Sequence, residues 1–282
     1  MSPQNPKRKS AAKNKQGDPQ ALYLYCVGER NALKPLIEEQ SPGAIESDAP
    51  LEMIDAGDLA AIASAVSLAD YGEESLQARL SDPTWTAIRA MRHEKVIEHF
   101  ALRASVVPLR FGTVYLRRER IGQMLGERRD ELRKLIERLR GRQEWGVNIY
   151  LNRASLIEAI SSISPRLREL NERAAAASPG QGYLMRKKIE AMRADEARAE
   201  TRRVIAEIER ELSRASDNAR RLRVLKDEAS EYGEVAAKLA FLVERERFEE
   251  FRAVAEALAS EQAESGFRLE MTGPWPAYNF AG

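Results

Sequence analysis

Cysteine occurs once in the 282 residues, at Cys26, so no intramolecular disulfide can form and a reducing compartment is consistent with the chain. Histidine occurs twice, at His93 and His99, and aromatic residues make up only 6%. A large surplus of either sign of charge is also missing. Lysine and arginine number 45 against 44 aspartates and glutamates, and the resulting +1 gives no global field to draw in nucleic acid or an anionic membrane. No apolar run approaches the length of a membrane span, and no hydrophobic segment with a cleavage site follows the charged N-terminus, so no membrane association and a cytoplasmic location are expected. Walker and Rossmann phosphate loops and a Gly-x-Ser-x-Gly elbow are absent, which removes the commonest nucleotide-binding and serine-hydrolase signatures.

What remains is a globular chain with 43% hydrophobic and 32% charged residues, long enough for two domains and suited to helices with solvated faces. Residues 1–20 hold Lys7, Arg8, Lys9, Lys13 and Lys15 among prolines and polar residues, and are expected to be a disordered basic arm. Cys26 lies in the apolar run Ala21–Val27 with no acid or histidine beside it, the setting of a small buried hydrophobe and not of a reactive thiol.

Patterning places strands at Leu22–Gly28, Leu51–Ile54 and Leu59–Val66, the last two joined by an Asp55-Ala56-Gly57-Asp58 turn. A loop is expected after Gly28. Asp82-Pro83 starts a helix that runs to about Ala104. Val106–Tyr115 reads as one strand with Val107, Leu109, Phe111, Thr113 and Tyr115 on one face, and Arg118–Arg140 as a single amphipathic helix that closes a domain over 21–142. The second domain, 143–272, begins with the strand Trp145–Leu151. A helical hairpin over about 154–216 follows, with a restart or kink at Pro165 and a break at Ser178–Gly182. Strands at 221–226 and 234–243, a helix from Arg245 to about Glu261 and a strand at 266–272 complete it. The order matches a ferredoxin-like βαββαβ domain with an elaborated first helix, and the first half a looser ferredoxin-like variant, so the expected class is α+β with two domains and an aromatic tail at 273–282.

His93 and His99 superficially resemble a zinc-protease pair, but six residues turn a helix by about 600°, which leaves the rings on different faces. His93 falls on the apolar stripe and His99 on the solvent side with Arg92, Lys95 and Arg103. Carboxylates alternate with arginines along helices, the pattern of a solvated face, and no pair stands out as acid and base. No catalytic residue, metal ligand or cofactor is therefore expected. Tyr23, Tyr25, Arg110 and Phe111 could form the aromatic sheet of an RNA-recognition domain, but the clustered aromatic and basic signature is missing, so nucleic acid is an alternative and not the preferred partner. A metal-dependent hydrolase is the last alternative.

Three blocks carry a resemblance: Tyr23-Leu24-Tyr25, then His93-Glu94 with Val107-Pro108-Leu109-Arg110-Phe111-Gly112-Thr113-Val114-Tyr115, and finally Gly182-Tyr183-Leu184 with the closing Gly273-Pro274-Trp275-Pro276-Ala277-Tyr278-Asn279-Phe280. In this order they resemble the gas-vesicle GvpF/GvpL family over nearly the whole chain except the basic arm. Ala277 stands where the family commonly has proline. The resemblance implies a two-domain α+β assembly factor and not an enzyme, a minor component that binds the gas vesicle shell protein and other accessory proteins and is associated with the gas vesicle. Candidate partner-binding or domain-clamping residues are Arg110, Phe111, Trp275, Tyr278 and Phe280. Prolines on both sides of Trp275 favour an extended tail anchored by its rings.

Overall fold

The computed structural model describes residues 20–39, 41–224 and 229–282, so the expected basic arm lies outside the described residues except for Gln20. Contacts group residues up to Phe100 with Leu109–Arg129 into a first unit, and Ala101–Pro108 with Asp130–Gly282 into a second.

In the first unit the central strand β1 (Gln20–Glu29) is followed by α1 (Arg30–Glu38), β2 (Leu51–Ala56) and β3 (Leu59–Ser67). The strands pair antiparallel in the order β2-β3-β1. The Asp55–Asp58 turn closes the hairpin with Gly57 at φ 72°, a left-handed backbone that glycine adopts without steric cost. β3 is alanine-rich yet almost wholly buried, because small side chains suit a strand covered on both faces. The loop expected after Gly28 is instead α1, with Pro35 inside it. Burial of Leu33 and Leu36 outweighs the missing proline N–H, and Leu33 packs against the bare Cα of Gly28.

The short helices α2 (Leu68–Tyr71) and α3 (Glu73–Leu80) lead to α4 (Pro83–Ala101). Asp82 caps α4 by accepting the amides of Thr84 and Trp85 at 3.0 and 3.1 Å. The single strand expected at 106–115 is two: β4 (Val106–Pro108) ends at the proline, and β5 (Val114–Tyr115) pairs with β1. Between them the chain turns, with Gly112 at φ 84°. The single helix expected at 118–140 is also two, α5 (Arg118–Glu127) and α6 (Arg129–Leu139). Its apolar stripe is divided: α5 belongs to the first unit, whereas Leu139 packs with Ala240, Leu242 and Phe280 in the second.

The second unit continues with β6 (Arg142–Leu151), α7 (Arg153–Ile163), α8 (Pro165–Ala176) and α9 (Pro179–Arg214). Then come β7 (Asn218–Leu222), β8 (Ala229–Ser230), β9 (Gly233–Glu244), α10 (Phe248–Gln262) and β10 (Phe267–Trp275). The sheet order is β10-β6-β9-β7, every neighbouring pair is antiparallel, and β8 pairs with β9. β7 ends earlier than the expected 221–226 strand, of which residues 225 and 226 lie outside the described residues.

Ser164 restarts the hairpin by accepting the amide of Leu167, and Pro165 takes the first position of α8. The break expected at Ser178–Gly182 shrinks to the cap at Ser178, since α9 already runs from Pro179. Gly182 is buried inside it because a side chain there would meet the Ala174 carbonyl oxygen at 2.9 Å, so the glycine lets α8 and α9 touch. The solvent face of α9 carries ion pairs such as Arg203 with Glu200 and Glu207.

Period-two alternation divides the second sheet. Val147, Ile149, Leu239, Phe241 and Val243 meet α7, α9 and α10, while Ala240 and Leu242 lie on the other face with Leu139 and Phe280. Among the described residues no helix is long and apolar enough to cross a membrane.

Candidate functional site

β1 carries a bulge at Tyr25, between the pairs Leu24↔Ala63 and Cys26↔Ile62. Both Tyr23 and Tyr25 are fully buried. α4 brings His93 against them, 3% exposed. Tyr23 Oη lies 2.9 Å from His93 Nδ1 and accepts the Gly112 amide at 3.0 Å. His93 also hydrogen-bonds the Leu109 backbone.

A neutral imidazole offers one N–H donor and one acceptor nitrogen, so His93 can serve the Tyr23 hydroxyl and the Leu109 backbone together. Burial lowers the His93 pKa to about 4, against the small opposing effect of the Leu109 bond, and keeps the ring neutral at pH 7. Burial likewise raises Tyr25 to about 12. Its hydroxyl lies 2.8 Å from Ser64 Oγ and accepts the Ile45 amide at 2.8 Å.

Phe111 closes this cluster from the turn, edge-on to His93 at 5.6 Å and to Tyr23 at 6.2 Å between ring centres. The turn is fixed at both ends. Leu109 donates to the Tyr25 carbonyl and the Thr113 carbonyl accepts from Leu24, while Thr113 bonds back to the Arg110 carbonyl through its amide and hydroxyl. Arg110 stands at the tip, exposed, and its side chain has no ion-pair or hydrogen-bond partner among the described residues. It is a cation on a rigid turn and not a strand residue.

The aromatic-platform reading fails on burial, because Tyr23 and Tyr25 offer no ring face to a base. Among the described residues no group of three or more histidine, cysteine, aspartate or glutamate side chains could hold a metal ion. His99 is not on the solvent side: half-buried, it lies with Nε2 3.2 Å from the Leu36 carbonyl oxygen. Cys26 is fully buried, which pushes its thiol pKa well up.

The tail divides its rings among three environments. β10 extends through Gly273 and Pro274 to Trp275, which sits opposite Glu144, so the first part of the tail is strand and not a free extended segment. Gly273, at φ 124°, is confined by the Glu144 carbonyl oxygen at 3.0 Å and the Trp145 ring at 3.1 Å from where a Cβ would stand. Trp275 remains 49% exposed and donates to Thr272 Oγ1 at 3.1 Å. Tyr278 is half-buried. Phe280 is fully buried, its carbonyl held by Arg138 and its ring 5.6 Å from the Arg220 guanidinium.

Glu144, only 4% exposed, accepts the backbone and side-chain N–H groups of Asn279 at 3.0 and 2.5 Å. Nothing in the sequence pattern singled out this carboxylate, which lies just before the expected strand start. Its alternation with Gly146 and Asn148, on the face opposite Trp145 and Val147, is the one signal that could have placed it.

A family profile described as "Gas vesicle synthesis protein GvpL/GvpF" matches residues 21–282. The chain is 31% identical to gas vesicle protein L of a Streptomyces species over 83% of this chain and 84% of that one. It is 25% identical to gas vesicle protein F of the same species over 92% and 99%. In fold it is similar to the crystal structure of gas vesicle protein GvpF from Anabaena sp., with TM-score 0.65, 18% identity and coverage of 93% and 96%. The GvpF structure from Microcystis aeruginosa gives TM-score 0.59, 20% identity and coverage of 93% and 99%. The chain belongs to the GvpL/GvpF family of gas vesicle synthesis proteins.

Proposed function

We propose that the protein is a non-catalytic assembly factor, cytoplasmic and associated with the gas vesicle, that binds the shell protein and other accessory proteins during vesicle formation. The observation that carries the reading is Arg110, an exposed, unpaired cation on a turn clamped from behind by Phe111, His93 and Tyr23. A rigid display loses little conformational freedom on binding, which is what a contact residue needs. Exposed Trp275 on β10 is a second contact candidate, while buried Phe280 holds the tail in place. The antiparallel order β10-β6-β9-β7 with helical crossovers supports a ferredoxin-like second unit with an elaborated first crossover.

The test joins genetics with co-purification. Deleting the gene should abolish vesicles, and tagged protein should recover shell and accessory proteins from producing cells. Arg110→Glu should keep its melting temperature and lose that recovery. Normal vesicles in the deletion strain would refute the function, and unchanged recovery with Arg110→Glu would remove the turn from it.

A further inference from the structure

The second unit contains an open pocket of about 170 Å³, bordered by the end of β6, the start of α7, the middle of α9 and the start of β9. Its floor is apolar. Leu151, Leu156, Ile157 and Ala236 line it, and Leu156 is fully buried. Its mouth is cationic, since Arg153, Arg198 and Arg202 also line it and all are exposed. Two of these charges are already offset: Arg153 pairs with Glu234, itself a lining residue, at 3.0 Å, and Arg198 pairs with Asp195. Arg202 has no ion-pair or hydrogen-bond partner among the described residues. One uncommitted positive charge therefore stands beside an apolar hole.

Size decides what fits. Cofactor- and drug-sized ligands occupy roughly 300–1,000 Å³, whereas an apolar cavity of about 150 Å³ admits one benzene ring. This cavity accommodates a single aromatic or branched aliphatic side chain. Filling such a pocket with one buried anchor inside a charged rim is how protein interfaces concentrate their binding energy. A carboxylate beside the anchor would complement Arg202.

We propose that this cavity docks a partner polypeptide that inserts one large apolar side chain, flanked by aspartate or glutamate, between α7 and α9. The inference rests on the protein-binding reading above and gives it a second location and a recognition chemistry.

The test titrates the full-length chain with a fluorescein-labelled nonapeptide that has a central phenylalanine and acidic residues on both sides, read by anisotropy. Two further peptides replace the phenylalanine by alanine or the acids by their amides. Saturable binding is expected, weakened about tenfold or more by either replacement. Ala194→Phe, which places a ring over the cavity from an exposed position on α9, and Arg202→Glu should each cost a similar factor. Arg210→Glu, on α9 but outside the lining, should change nothing. Thermal unfolding checks that the variants fold, and Arg202→Glu carries the test if Ala194→Phe does not. No saturable binding, indifference to both cavity variants, or an equal loss with Arg210→Glu would overturn the proposal. Should vesicles still vanish on deletion of the gene, the assembly reading would survive that failure.

Discussion

The two units fill their cores with different chemistry. Behind β1 the interior holds, among aliphatic side chains such as Leu33, Ile62 and Ile97, a hydrogen-bonded set of rings, Tyr23, Tyr25 and His93, with Ser64 and the Ile45 and Gly112 amides as partners. Behind β6 it is mainly aliphatic and aromatic carbon, from Val147 and Ile149 to Ile208 and Phe251, and on the opposite face of the sheet Glu144 holds Asn279. An aliphatic core tolerates repacking, whereas a buried polar network is satisfied in few arrangements. The first unit uses that constraint to fix a turn, and the second uses it to fix a tail.

The largest expected effect breaks the second unit. Phe280→Ala removes a fully buried ring and should cost about 3–5 kcal/mol in urea unfolding, while Phe111→Ala, at a half-buried ring, should cost less. A cost for Phe280 no larger than that for Phe111 would mean the tail is not part of the second core.

Acid should separate the units next. His93 has a folded pKa of about 4, below its ordinary 6.5, so the unfolded chain binds its proton first. The His93 contribution is fully present above about pH 6.5 and is lost as pH falls through about 4, for a total of about 3 kcal/mol. In urea titrations at several pH values, His93→Phe should flatten that slope, and an unchanged slope would show that the imidazole is not held neutral.

Tyr23→Phe keeps the ring but leaves His93 Nδ1 and the Gly112 amide without their partner, which should cost about 1–3 kcal/mol. Hydrogen exchange at Gly112 should quicken while amides of β9 keep their protection once corrected for global stability. Smallest of all is Arg203→Ala on α9, whose exposed ion pairs should be worth under about 1 kcal/mol. A larger loss there would shift weight from the core to the helix surface.

Signals confined to a few neighbouring residues were legible in the sequence. Asp82-Pro83 starts a helix, Pro165 marks a kink or restart that is a restart, and Asp55–Asp58 closes a hairpin, because each places its hydrogen bonds or backbone angles locally. Illegible features depend on distant partners. Pro35 marked a loop, yet burial of Leu33 and Leu36 keeps it within a helix. Alternation at 106–115 promised one strand, but bonds from β1 to Leu109 and Thr113 hold the intervening residues in a turn. Of the candidate site, Arg110 and the tail rings were visible as residue types, while exposure alone distinguished Trp275 from Phe280.

The sequence by itself determined the family, the α+β class and the positions of most helices and strands, since motif order, apolar period and caps are written along the chain. Only the tertiary structure decided which partners the buried motif residues meet. His93 became the neutral centre of a buried clamp because β1, α4 and the 109–113 turn converge on it, and Glu144 became the anchor of the tail because β10 returns to pair with β6. Both outcomes arise from contacts between residues far apart in the chain, which no local pattern encodes.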